Sequence, residues 1–183
     1  FQASATDCSI LSGTEVHTTG AYFLNPADGL VLDLSDTYID LEPEHDAFTI
    51  PIEGFLPSRT VTIDGTTTGP RGIGEGYIVY GTLDDGDVTL SHLEAGQTAW
   101  RLYANLTING DVTLTIPPGT VIASDENVRV LDFNEDTHLQ MTGASMSDVQ
   151  LRLDHSASAT IADSAFVGVS AGRRYLNDLT TTG

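Results

Sequence analysis

The chain repeats itself, and that limits its fold more than any other feature. Gly86-Asp87-Val88-Thr89-Leu90 recurs letter for letter as Gly110-Asp111-Val112-Thr113-Leu114, 24 residues later. Each copy is followed by a short link and a glycine, Gly96 and then Gly119. Thr60–Ile63 is a looser relative upstream, and 127–131 and 148–153 continue the theme downstream. A second family is spaced by 20 residues: Met141 matches Ile161, Ala144 matches Ser164, Met146 matches Phe166 and Val149 matches Val169. Periods of this length mark stacked structural repeats.

The repeating unit is made of strands. Few segments place apolar residues at i, i+3, i+4 and i+7, and 24 Thr and 18 Gly interrupt any helical pattern. Short runs alternate with period two instead: Leu30–Leu34, Ala47–Ile50, Thr60–Ile63, Tyr77–Tyr80 and Val128–Phe133. Turn residues bound them, as in Pro26–Gly29, Asp84-Asp85-Gly86 and Pro117-Pro118-Gly119. Short strands, a period near 20 and no helix predict an all-β solenoid. Alternate apolar side chains would point inward and stack from coil to coil, with parallel strands about 4.8 Å apart. Gly, Asn and Asp would occupy the corners, where positive φ is needed. Variable spacing would be absorbed by loops of different length at one corner.

Leu106–Ile122, with its Pro117-Pro118-Gly119-Thr120, resembles the opening coil of right-handed parallel β-helix proteins of the pectin-lyase-like superfamily. Ala159–Gly168 is similar to an ordinary coil of that superfamily. The resemblance covers residues 59–183 and implies a right-handed parallel β-helix. Residues 1–58 read as an N-terminal β cap or small β-sandwich-like segment, the alternative being irregular early coils. The fold is shared by lyases, hydrolases, adhesins, phage tailspikes and structural filaments, so function has to be argued from sites.

Charge narrows the functional classes. Asp and Glu total 26 against seven Arg and no Lys, a net charge of −19. That surface repels phosphate backbones and anionic lipid, so neither nucleic-acid nor anionic-membrane binding is expected. Val112–Ser124 is the longest uncharged apolar stretch, and it is too short and too proline-interrupted for a membrane span. Asp exceeds Glu 18 to 8, a balance suited to salty water, where the charges are screened. Phe1 is not an initiator Met, and residues 1–15 lack a signal-peptide pattern, so the expectation is that a targeting peptide has been removed or that the chain is cut from something longer. Cys8 is alone and cannot form an internal disulfide.

Candidate chemistry is sparse. Polygalacturonases of the superfamily carry an Asn-Thr-Asp run, an Asp-Asp pair, Gly-His-Gly and Arg-Ile-Lys; only Asp84-Asp85 has a counterpart here. A lyase needs a cation near clustered Asp and a basic residue, and Arg173-Arg174 is the only basic pair. Gly72–Gly76 is glycine-rich but lacks the lysine and helix of a phosphate cradle. The five histidines are scattered.

Asp84, Asp85 and Asp87 bring three carboxylates into one turn, a hard-cation pattern for which calcium is the expected ion. A solvated acidic corner is the alternative. Asp33–Asp46 is a second acidic group. Asn105-Leu106-Thr107 is a glycosylation sequon. Thr113-Leu114-Thr115 resembles ice-binding faces, although strand preference accounts for Thr equally well. A glycan-binding or glycan-cleaving solenoid would show an aromatic and acidic groove along one face; with one Trp and six Tyr, the close pair Trp100 and Tyr103 is thin support for one. The expectation is a non-catalytic structural or adhesive β-helix, secreted or at the cell surface, self-associating through its solenoid ends. The alternative is a polysaccharide-active or carbohydrate-binding β-helix.

Overall fold

A computed structural model describes the side chains of residues 52–53, 55–57, 78–92, 99–102, 104–124 and 128–168. It describes the backbone of further strands at 2–3, 15–18, 21–23, 31–33, 38–41, 48–51, 60–62, 67–68, 77, 103, 170–173 and 179–182. The chain is a parallel β-solenoid of about four turns, with no α-helix among the described residues.

Three rows of strands build it from Tyr77 onward. The first row stacks Tyr77–Leu83, Ala99–Ile108, Val121–Ser124, Ser145–Ser147 and Ala165–Val167. The second stacks Arg129–Phe133, Val149–Leu153 and Ser170–Arg173 onto the C-terminal half of Ala99–Ile108. The third stacks Val88–Thr89, Thr113–Ile116, His138–Thr142, Ser158–Ala162 and Leu179–Thr182. Every described pair is parallel, so each coil meets the hydrogen-bonding needs of the next. Parallel pairing reaches back into residues 1–58, where Tyr22 registers with Thr49 and Phe48 with Tyr77.

Period-two alternation creates the core. Val149–Leu153 buries its first, third and fifth residues, and Thr113–Ile116 its second and fourth. The buried residues form columns running from coil to coil. Leu83, Ile108, Phe133 and Leu153 make one, and Val88, Leu114, Leu139 and Ala159 another. Phe133 and Leu139 are fully enclosed. Trp100, Ile122 and Met146 form a third column, and Phe55 closes edge-on against Trp100 with ring centroids 5.1 Å apart.

The spacing has a structural cause. Corner residues are 25 apart in the earlier coils and 20 apart in the later ones. Ala123 registers with Ser147 and Val130 with Gln150, so most of the difference lies in one corner, between the first and second rows. The rest lies at Pro117-Pro118, where Ile116 registers with Met141 and Val121 with Ser145.

The repeated pentapeptides are not stacked residue on residue. Val88 registers with Leu114 and Thr89 with Thr115, two positions away from the letter match. A shift of two keeps the same side chains inward, because the strand period is two. By contrast, the 20-residue matches Met141 with Ile161 and Met146 with Phe166 are true rung partners.

Candidate functional site

The corners carry the polar chemistry. Asp84, Asn109 and Asn134 follow one another up the solenoid after the core residues Leu83, Ile108 and Phe133. Asn109 Nδ2 donates to Asp84 Oδ1 at 2.6 Å, and Asn134 Nδ2 donates to Asn109 Oδ1. The backbone runs in parallel: Asn109 N donates to Leu83 O, Asn134 N to Ile108 O and Asp154 N to Phe133 O. Asp154 ends the side-chain ladder because a carboxylate has no proton to donate; its Oδ1 accepts from His155 N.

Similar links join the coils elsewhere. Asp87 Oδ1 accepts from Thr113 N at 2.7 Å, and Asp136 N donates to Ser156 Oγ at 2.8 Å. His138 Nδ1 shares a hydrogen bond with Ser158 Oγ at 2.7 Å, and His92 Nε2 shares one with the buried Thr120 Oγ1 at 2.9 Å. Arg152 reaches back to Asp132 Oδ2 at 3.3 Å. Asp132 Oδ1 is buried without a hydrogen-bond partner among the described residues.

Corner backbone follows the same stacking. Asp148 and Gly168 both hold positive φ, 55° and 63°. A Cβ at Gly168 would run into the Asp148 carboxylate, so only glycine fits both the dihedral and the space.

The candidate cation turn has a structural use. Asp84, Asp85 and Asp87 are all exposed. Asp84 and Asp87 each commit one carboxylate oxygen to the following coil, to Asn109 and Thr113. Among the described residues, no group of three or more His, Cys, Asp or Glu could hold a metal ion. Asn105 is exposed on the strand Ala99–Ile108, and its Oδ1 accepts from Val130 N at 3.0 Å.

One suggestion from the sequence is overturned. Trp100 points inward, fully buried in the core against Phe55, and cannot serve as a glycan-stacking platform. The alternating run around it sets Trp100 and Leu102 on the inward side. The side chains of Tyr103, Arg173 and Arg174 lie outside the described residues, as do Cys8, Gly72–Gly76 and the side chains of the 33–46 acidic group.

The third row has a feature that composition conceals. Its described outward residues are Thr89, Thr113, Thr115, His138, Gln140, Thr142, Ser158, Thr160 and Ala162, with no Asp, Glu or Arg among them. Thr89, Thr115, Gln140 and Thr160 stand in register, one per coil. In a chain of net charge −19, this strip carries no acid and no Arg, and hydroxyl and amide groups dominate it. No helix among the described residues is long and apolar enough to cross a membrane. Compared with protein-family models, with curated proteins and with solved structures, the chain has no match.

Proposed function

We propose that this chain is a non-catalytic structural or adhesive β-solenoid of the cell exterior, allied to the pectin-lyase-like β-helices. The observation that carries this reading is where its polar side chains go. Asp84, Asp87, Asn109, Asn134, His138, Ser158, Asp132 and Arg152 bond between coils, so each is engaged in holding one coil to the next. A rod stiffened in this way suits load bearing or display. The acidic surface suits a saline exterior, where salt screens its self-repulsion.

Self-association belongs to the same proposal. Phe166 continues the Trp100–Ile122–Met146 column and is 41% exposed, whereas Met146 beneath it is buried. A further coil, or the first coil of a second copy, would cover it and use the open parallel edge of Ala165–Val167. Electron microscopy of the purified native protein tests this. Filaments lost in Phe166→Asp would support it; separate short rods at high concentration would remove self-association.

The third row's strip without acid or Arg favours one second reading, a carbohydrate-binding solenoid. A neutral polysaccharide lying along the axis would meet hydroxyl and amide groups at each rung without having to displace counterions. Co-sedimentation with insoluble neutral and acidic polysaccharides tests it, with Thr115→Asp and Thr160→Asp expected to abolish retention. Release of reducing sugar or unsaturated product would instead identify a polysaccharide-cleaving enzyme.

A further inference from the structure

We infer that Asn105 is the acceptor of an N-linked glycan, an inference that rests on the extracellular reading above. Asn105 Oδ1 accepts from Val130 N at 3.0 Å, while its Nδ2 has no partner among the described residues. The other two described asparagines both use theirs: Asn109 Nδ2 donates to Asp84, and Asn134 Nδ2 donates to Asn109.

An aspartate at 105 would accept from Val130 N equally well. Asp outnumbers Asn 18 to 6 in this chain, so the residue type is not a compositional default. The coil-to-coil bond accounts for the oxygen and leaves the amide nitrogen over. Thr107, two residues on, completes the sequon, with Leu106 buried between them.

The position is accessible. Asn105 and Ala104 are exposed, and the strand register against Tyr77–Leu83 breaks between Leu102 and Leu106, so Asn105 stands on an irregular corner. In the transfer, Nδ2 attacks C1 of a lipid-diphosphate-linked oligosaccharide. The Nδ2–C1 bond forms, the C1–O bond to the diphosphate breaks, and Nδ2 loses one proton. The product amide keeps its carbonyl oxygen, so the bond from Val130 N survives modification.

The test is mass spectrometry of the full native chain from its extracellular and cytoplasmic fractions. Arg101 and Arg129 bracket a tryptic peptide, residues 102–129, that contains Asn105. The expected result is a glycan on that peptide in the extracellular chain. Asn105→Gln and Thr107→Val should lose it, and Thr107→Ser should retain it. Asn105→Asp should lose the glycan while leaving the melting temperature unchanged, which separates modification from the structural bond. An extracellular chain with an unmodified 102–129 peptide overturns the inference and leaves the proposed function standing. A chain confined to the cytoplasm and unmodified overturns both.

Discussion

Asn109 lies between two coils, its Nδ2 donating to Asp84 Oδ1 in one and its Oδ1 accepting from Asn134 in the other. Such a ladder has a direction. Each amide donates toward the N-terminal coil, so the first member needs only to accept, which a carboxylate does well. Asp84 therefore suits the foot of the ladder, and an acid in the middle would not.

Replacing Asn109 with Asp should accordingly be worse than its similar shape suggests. The donor to Asp84 is lost and two carboxylates then face each other. The expected cost is about 1–3 kcal/mol at neutral pH. A proton added between the two carboxylates restores a donor, so the deficit should shrink in mild acid. Chemical denaturation of both chains at neutral and mildly acid pH checks this; an unchanged midpoint at both would remove the ladder's energetic role.

The core columns predict a sharp contrast. Phe133→Ala removes a fully buried ring between Ile108 and Leu153, and should cost about 3–5 kcal/mol. Val167→Ala, at a position 63% exposed, should stay within about 0.5 kcal/mol. Equal losses in equilibrium unfolding would mean that the column does not bear the stability.

Gly168→Ala should destabilise by about 1 kcal/mol or more, through the positive φ and the collision with Asp148. The double variant with Asp148→Gly removes the collision and keeps the dihedral strain. A melting temperature recovered only in part would separate the two causes.

Tyr80 links stability to alkaline pH. Burial, and secondarily the charge of Glu53, raises its phenol above the ordinary 10.0. The folded chain then holds the proton at pH values where the unfolded chain has lost it. This contribution is intact below the unfolded pKa and is lost as pH rises from there through the folded pKa. Tyr80→Phe should flatten that alkaline fall in melting temperature, and an identical slope in both chains would refute the linkage.

Salt should stabilise this protein. With a net charge of −19, shortening the Debye length from about 10 Å at 0.1 M to about 3 Å at 1 M relieves self-repulsion. The expected outcome is a rising melting temperature with sodium chloride. A flat response would withdraw the saline-habitat reading.

Much of the fold could be read from the residues because a solenoid is built by local rules. Alternation in 149–153 and the pairing of Met141 with Ile161 are visible as letters, since each strand needs only its neighbour one coil away. The early coils were harder. The identical pentapeptides at 86–90 and 110–114 align by their glycines, yet the strands align by their core residues, two positions off. That Trp100 faces the core follows from the parity of its strand, which the sequence alone does not fix.

The candidate site was less legible than the fold. The sequence shows how close Asp84, Asp85 and Asp87 lie to one another and hides the bonds that Asp84 and Asp87 make to Asn109 and Thr113, a coil away. The third row's strip without acid or Arg was hidden for the same reason, its members being separated along the chain by whole coils.

The sequence by itself determined the strand type, the coil repeat and the glycine and acid residues of the corners, because these depend on backbone preference and a period of two. Only the tertiary structure decided which residues share a rung, which carboxylates are bonded and which face carries neither acid nor Arg. Those properties depend on register between coils, and register is set by how whole columns of side chains pack.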